Sequence, residues 1–153
     1  MLASRRRTTD TPPAAGPSRA RPVMLVTLGV PVDPEASRFG VDSAVEAGAA
    51  LVVVNAVETA FVPVTLAGLD YVEREDVEES LRRPCALAVS LGVSVERLRL
   101  RSPRPLVALL ELVSEREPGV LVFGPDRALI SRRLYRKAAK TLGEHSPCLV
   151  WLA

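Results

Sequence analysis

Apolar residues recur along this chain in short blocks, some continuous and some spaced as one face of a helix. Val23 to Leu28 is a nearly unbroken apolar run, as expected for a parallel strand buried on both faces. Gly29 to Val32 reads as a loop, and Asp33-Pro34-Glu35 as a helix start with Asp as N-cap and Pro at the first helical position. Ala36, Phe39, Ser43, Ala44 and Ala47 fall on one face of that helix, and Gly48 takes the position after its end. Leu51 to Val54 is a second strand, in an apolar run from Ala49 to Val57 broken by Asn55. Residues 58–69, with Pro63 and Gly68, read as a loop. A second helix begins near Asp70, its acidic residues Glu73, Glu75, Asp76, Glu78 and Glu79 suiting the positive end of the helix dipole. Pro84 predicts a kink, while Leu81, Cys85, Ala88 and Leu91 carry the apolar face across it to Gly92. Val93 to Leu100 is a third strand, and the phase shift near Arg97 points to a bulge or an edge position. Ser102-Pro103 caps a third helix with Leu106, Leu109, Leu110 and Val113 at i, i+3, i+4, i+7 spacing, ended by Pro118-Gly119.

The last thirty residues carry most of the functional information. Val120 to Phe123 is a strand that runs into Gly124-Pro125-Asp126-Arg127. A basic helix from Arg132 to Lys140 follows, with Ser131 as its N-cap, then Ser146-Pro147-Cys148 and a strand over Leu149–Leu152. This is a βαβ unit. With the preceding blocks it makes five strands and four helices joined by crossovers. The predicted fold is therefore an α/β three-layer sandwich with a five-stranded parallel sheet. The Gly turn opens at the carboxyl end of a strand, where open α/β sheets hold ligands. The basic residues come next, so a ligand there is expected to be anionic.

Charge changes this picture only in its distribution. Residues 1–22 hold five Arg and one Asp, against 15 basic and 17 acidic residues in 23–153. The first stretch, with its Pro residues and no apolar periodicity, reads as a disordered Arg/Pro-rich tail. The domain over 23–153 is nearly neutral and offers no argument for a nucleic-acid partner. No apolar run reaches a membrane span, and no apolar stretch follows Ser4-Arg5-Arg6-Arg7 to make a secretion signal. Cys85 and Cys148 stand far apart in a chain with one His, so metal-ligand spacing is lacking and free thiols are expected. Neither His145 nor Cys148 has a catalytic partner at motif spacing. His145 reads as a surface or capping residue and Cys148 as a packing one.

The order and local wording of these blocks resemble the universal stress protein (UspA-like) family. The resemblance rests on Ala47-Gly48-Ala49-Ala50-Leu51-Val52-Val53-Val54, on Gly92-Val93-Ser94-Val95-Glu96, and on Ser102-Pro103 followed by Leu109-Leu110-Glu111-Leu112. Val120 to Gly124 and His145-Ser146-Pro147-Cys148 complete it. It covers residues 23–153 and implies a Rossmann-like sheet. Nucleotide-binding members of the family carry Gly, two residues, Gly, nine residues, Gly, then Ser or Thr. Here Gly124 matches, Arg127 stands at the second glycine, and the third falls on Arg136 or Lys137. An Asp near the end of the first strand is replaced by Leu28. A backbone cradle for phosphate is thus exchanged for side-chain charge. ATP binding is expected to be lost. An anion site for AMP, ATP or another phosphorylated ligand, built by Gly124, Arg127, Arg132 and Lys137, is the alternative. A solvated helix face is the commoner meaning of such a basic stretch.

The resemblance implies a cytoplasmic, stress-associated regulator. As no catalytic constellation stands out, a non-catalytic domain that acts through dimerisation and partner contacts is expected, with no cofactor or, in the alternative, AMP, ATP or another phosphorylated ligand. Cys148, Leu149, Val150, Trp151 and Leu152 form an uncharged terminal strand. The family's strand order places it at a sheet edge, ready to pair with its copy about a two-fold axis.

Overall fold

The computed structural model describes residues 20–59 and 74–153. The chain folds as β1 (Val23–Thr27), α1 (Pro34–Ala47), β2 (Leu51–Glu58), α2 (Glu75–Ser90), β3 (Val95–Ser102), α3 (Pro105–Arg116), β4 (Val120–Phe123), α4 (Arg132–His145) and β5 (Leu149–Leu152). The five strands form one sheet in the order β3-β2-β1-β4-β5, every pair parallel. Because side chains alternate across a strand, the two faces carry separate cores. Met24, Val26, Leu121 and Phe123 pack beneath α3 and α4; Val23, Leu25, Val53 and Val122 pack beneath α1 and α2. This is the predicted α/β, Rossmann-like three-layer sandwich. The expected disorder of residues 1–22 and loop 58–69 lie largely outside the described residues.

Several boundaries differ from the sequence reading for physical reasons. β2 runs on through Asn55 to Glu58, because Asn55 is buried and hydrogen-bonded rather than a break. In α1, Ala36, Gly40, Val41 and Ala44 form the buried stripe, while Ala47 is exposed. α2 begins at Glu75, after the expected Asp70. It continues as a helix through Pro84, which lies in the buried stripe Val77, Leu81, Pro84, Ala88; Leu91 is exposed. β3 starts two residues later than expected and pairs with β2 in unbroken register, with no bulge; it is an edge strand, the other reading of its phase shift. Its change of phase marks two differently covered faces. Val95 packs on the α1–α2 side, while Leu98 and Leu100 pack on the other. Glu96 binds Arg116 of α3 through two bonds of 2.7 Å, and Arg97 binds Glu78 of α2. Ser102 ends β3 instead of capping α3: its Oγ accepts from Arg104 N, and Pro105 opens the helix.

Candidate functional site at the β1–β4 switch point

β1 is followed by β2 on one side of the sheet and flanked by β4 on the other, so the topological switch lies between the carboxyl ends of β1 and β4. Two loops meet there, and backbone hydrogen bonds join them. Val32 and Pro125 form an antiparallel bridge. Asp33 N donates to Gly124 O at 2.8 Å, Asp126 N to Pro31 O at 2.8 Å, and Gly124 N to Val26 O at 3.0 Å. Beneath them, Thr27 and Asn55 are register neighbours and the buried polar side chains of the described core. Thr27 Oγ1 donates to Val30 O at 2.6 Å, and Gly29 N donates to Asn55 Oδ1 at 2.8 Å. The pair pins the loop after β1, and Gly29 takes the left-handed turn, φ 72°, that the bend requires. Sequence reasoning missed this pair; its signal was a single amide inside a run of aliphatics. Leu28, where the family's nucleotide binders have Asp, is an 8% exposed core residue.

The residues singled out from the motif have distinct surroundings. Gly124 sits against α1: a Cβ there would overlap the Ala36 methyl. Its lack of a side chain thus serves strand–helix packing, and its N–H and C=O are both bonded within the protein. Asp126 closes the next turn, its Oδ1 accepting from Ala128 N and its carbonyl from Leu129 N and Ile130 N. The Arg127 guanidinium lies over the Tyr135 ring, 4.3 Å from its centroid, a cation–π contact. Ser131 caps α4 as expected, accepting from Leu134 N at 3.2 Å. Arg132 opens α4, and Lys137 lies in its second turn, where its N–H belongs to the helix ladder. At about 100° per residue, these two side chains leave the helix roughly 140° apart. Arg132 and Lys137 thus do not point to a common centre. His145 is exposed in the last turn of α4. Among the described residues, no group of three His, Cys, Asp or Glu is placed to hold a metal ion, and no helix is long and apolar enough to cross a membrane.

β5 lies at the sheet edge. Val150 packs into the α3–α4 core with Cys148, and Trp151 into the opposite one, while Leu149 and Leu152 are 68% and 46% exposed. Cys85 packs on the α1–α2 side, so the sheet separates the two thiols, and both are free. Burial pushes both thiols up: for Cys85 it outweighs the opposing pull of Arg97, and for Cys148 that of backbone hydrogen bonds. The neutral thiol is therefore favoured in the folded state. Any stabilisation from this is present below the unfolded thiol value and is lost as pH rises through the folded one. Slow alkylation by iodoacetamide at neutral pH is expected, accelerating on unfolding; equal rates in native and denatured protein would contradict this account.

Comparison with known proteins agrees with this architecture. Residues 20–153 match the sequence profile of the Universal stress protein family. No curated protein matches the chain. Among solved structures, it is similar to universal stress protein UspA from Lactobacillus plantarum, at 14% identity and TM-score 0.62, covering 89% of this chain and 99% of that one. A universal stress protein family member from Burkholderia pseudomallei is 20% identical at TM-score 0.60, covering 90% and 98%. The universal stress protein from Archaeoglobus fulgidus in complex with dAMP is 14% identical at TM-score 0.59, covering 86% and 95%. With its profile matched from Ala20 to the last residue on a five-stranded sheet of this order, the chain belongs to the universal stress protein family.

Proposed function

We propose that this is a non-catalytic universal stress protein domain that serves the stress response through self-association and partner contact, and that its glycine-cradle mode of ATP binding is lost. One observation carries the reading. At the switch point the backbone donors of Gly124 and Asp126 are already bonded to Val26 and Pro31, so neither is offered to a phosphate. The self-association is placed at β5, over Cys148, Leu149, Val150, Trp151 and Leu152. In its support, β5 is an edge strand without charge, and Leu149 and Leu152 are exposed on it. Such an edge is a liability unless something pairs with it.

The Archaeoglobus fulgidus relative is in complex with dAMP and another solved relative with cAMP, so adenine nucleotides are the ligands to test. Calorimetry with Mg-ATP and AMP is expected to give no binding in the micromolar range. Micromolar binding that Arg127→Glu abolishes would replace this reading with that of a sensor of phosphorylated ligands. Sedimentation is expected to show a dimer that Leu149→Lys combined with Leu152→Lys converts to monomer. Val150 is unsuited to that test, because it also packs in the core. A wild-type monomer at high micromolar concentration would overturn the assembly.

A further inference from the structure

From Arg127 to Gly143 the chain contains no acidic residue. Within α4, Arg132, Arg133, Arg136, Lys137 and Lys140 are all exposed. At about 100° per residue these cations occupy an arc of roughly 140°. The buried residues Tyr135, Ala138 and Leu142 lie on the opposite side of the helix. The charges therefore form one outward face, about 12 Å long at 1.5 Å per residue.

Structural roles do not account for this face. Several basic groups elsewhere have carboxylate partners: Arg82 and Arg83 pair with Glu79, Arg97 with Glu78, and Arg116 with Glu96. Among the described residues, the five α4 cations make no ion pair. Arg132 and Arg133 stand in the first turn, which holds no acid, at the end of the dipole that disfavours cations. Arg132–Arg136, Arg136–Lys140 and Arg133–Lys137 are like-charge i,i+4 pairs, each unfavourable by about 0.2–0.5 kcal/mol. Glu144, four residues after Lys140, offsets part of this at the far end of the helix; the first two turns keep an electrostatic cost that an anionic partner would relieve.

The shape of the face selects the partner. It is convex, so it suits an extended polyanion more than one phosphate group. The arc itself carries no apolar side chain, and Tyr135, Ala138 and Leu142 are packed on the sheet; Leu134, beside the arc, is exposed. A single exposed leucine is not the broad apolar face that seats an interfacial helix in a bilayer. Five cations along about 12 Å approach the charge density of duplex DNA, about one phosphate per 1.7 Å of axis.

We propose that the outer face of α4 binds the phosphate backbone of nucleic acid without sequence preference, through Arg132, Arg133, Arg136, Lys137 and Lys140. This rests on the partner-contact reading above but not on self-association. The test is fluorescence anisotropy of the full chain with a labelled DNA duplex of arbitrary sequence, titrated across salt concentration. The expected result is binding at low salt that weakens steeply with added salt, with a log–log slope of about −3 to −4 for three to four phosphate contacts. Arg133→Glu combined with Lys137→Glu should weaken it at least about tenfold and flatten the slope. Arg38→Glu combined with Arg104→Glu makes the same change in net charge on exposed residues away from α4, and should bind nearly as wild type. Circular dichroism confirms that each variant folds. No binding at low salt, equal losses in both double variants, or equal competition by polyglutamate or by anionic vesicles would overturn the proposal. Sedimentation of the same samples separates the two readings: a monomer that binds DNA sinks only the β5 dimer, and a dimer that does not bind sinks only this inference.

Discussion

Gly124→Ala is expected to destabilise the protein by about 3 kcal/mol, the upper range for forcing a methyl into a close-packed contact. The new Cβ would occupy the space of the Ala36 methyl. Ala36 is near the start of α1, where its N–H is held by the Asp33 carboxylate at 3.0 Å. Asp33 N is in turn bonded to Gly124 O at 2.8 Å. The helix therefore cannot slide away without breaking its own cap and the bridge between the two switch-point loops. Chemical denaturation should show a lower midpoint with an unchanged slope. Ala36→Gly removes the obstructing methyl at a helix-propensity cost of about 0.5–1 kcal/mol. Combined with Gly124→Ala it should recover more than about 1 kcal/mol of the loss, a coupling that independent sites do not show. A neutral Gly124→Ala would return this glycine to the role of a ligand-approach position.

That glycine illustrates which parts of the molecule were legible in the sequence. Periodicity and punctuation were sufficient for the elements, because a strand buried on both faces and an amphipathic helix each leave a one-dimensional pattern. Asp33-Pro34 and Gly48 start and stop α1 where read. What escaped the pattern depends on contacts between distant segments. Gly124 matched a nucleotide motif, yet its neighbour across the fold is Ala36. Asn55 looked like an interruption and is the acceptor that holds the loop of another strand. The phase change in β3 pointed to a bulge or an edge position; there is no bulge, β3 is an edge strand, and the change of phase records which helix covers each face. The basic stretch raised a different difficulty. Net charge over 23–153 is near zero, and only the structure shows that Asp76, Glu78, Glu79 and Glu96 pair with cations of α2 and its N-cap, β3 and α3, while the cations of α4 make no ion pair among the described residues. Arg127, Arg132 and Lys137 lie in one basic stretch of the sequence, but helical geometry spreads the last two apart, and the first stacks on Tyr135.

Trp151→Ala is expected to cost about 3 kcal/mol, the low end for truncating a packed aromatic because the side chain is only half-buried. β5 has four residues and a single neighbour, β4, so its backbone bonds alone hold it weakly. Three further contacts fasten it. Trp151 stacks on Phe39 of α1, with ring centroids 4.5 Å apart and planes 12° from parallel. Tyr135 Oη donates to Ala153 O at 2.5 Å, and Ala153 N donates to Phe123 O at 3.1 Å. Through this aromatic pair the indole ties the strand to the α1–α2 layer, a contact worth about 0.5–1.5 kcal/mol beyond its buried area. A double-mutant cycle with Phe39→Leu should return a coupling in that range. Trp151 is the only Trp, so wild-type unfolding is read by its fluorescence and the variant's by circular dichroism. Hydrogen exchange should show amides 149–153 losing protection first, since an edge strand freed of its anchor opens locally before the sheet does. If β5 also joins two subunits, the same substitution dissolves the dimer, whereas Phe39→Leu, which leaves the strand's own residues intact, weakens it less. A loss below about 1 kcal/mol with unchanged exchange at 149–153 would mean that β4 and Tyr135 alone suffice to hold the edge.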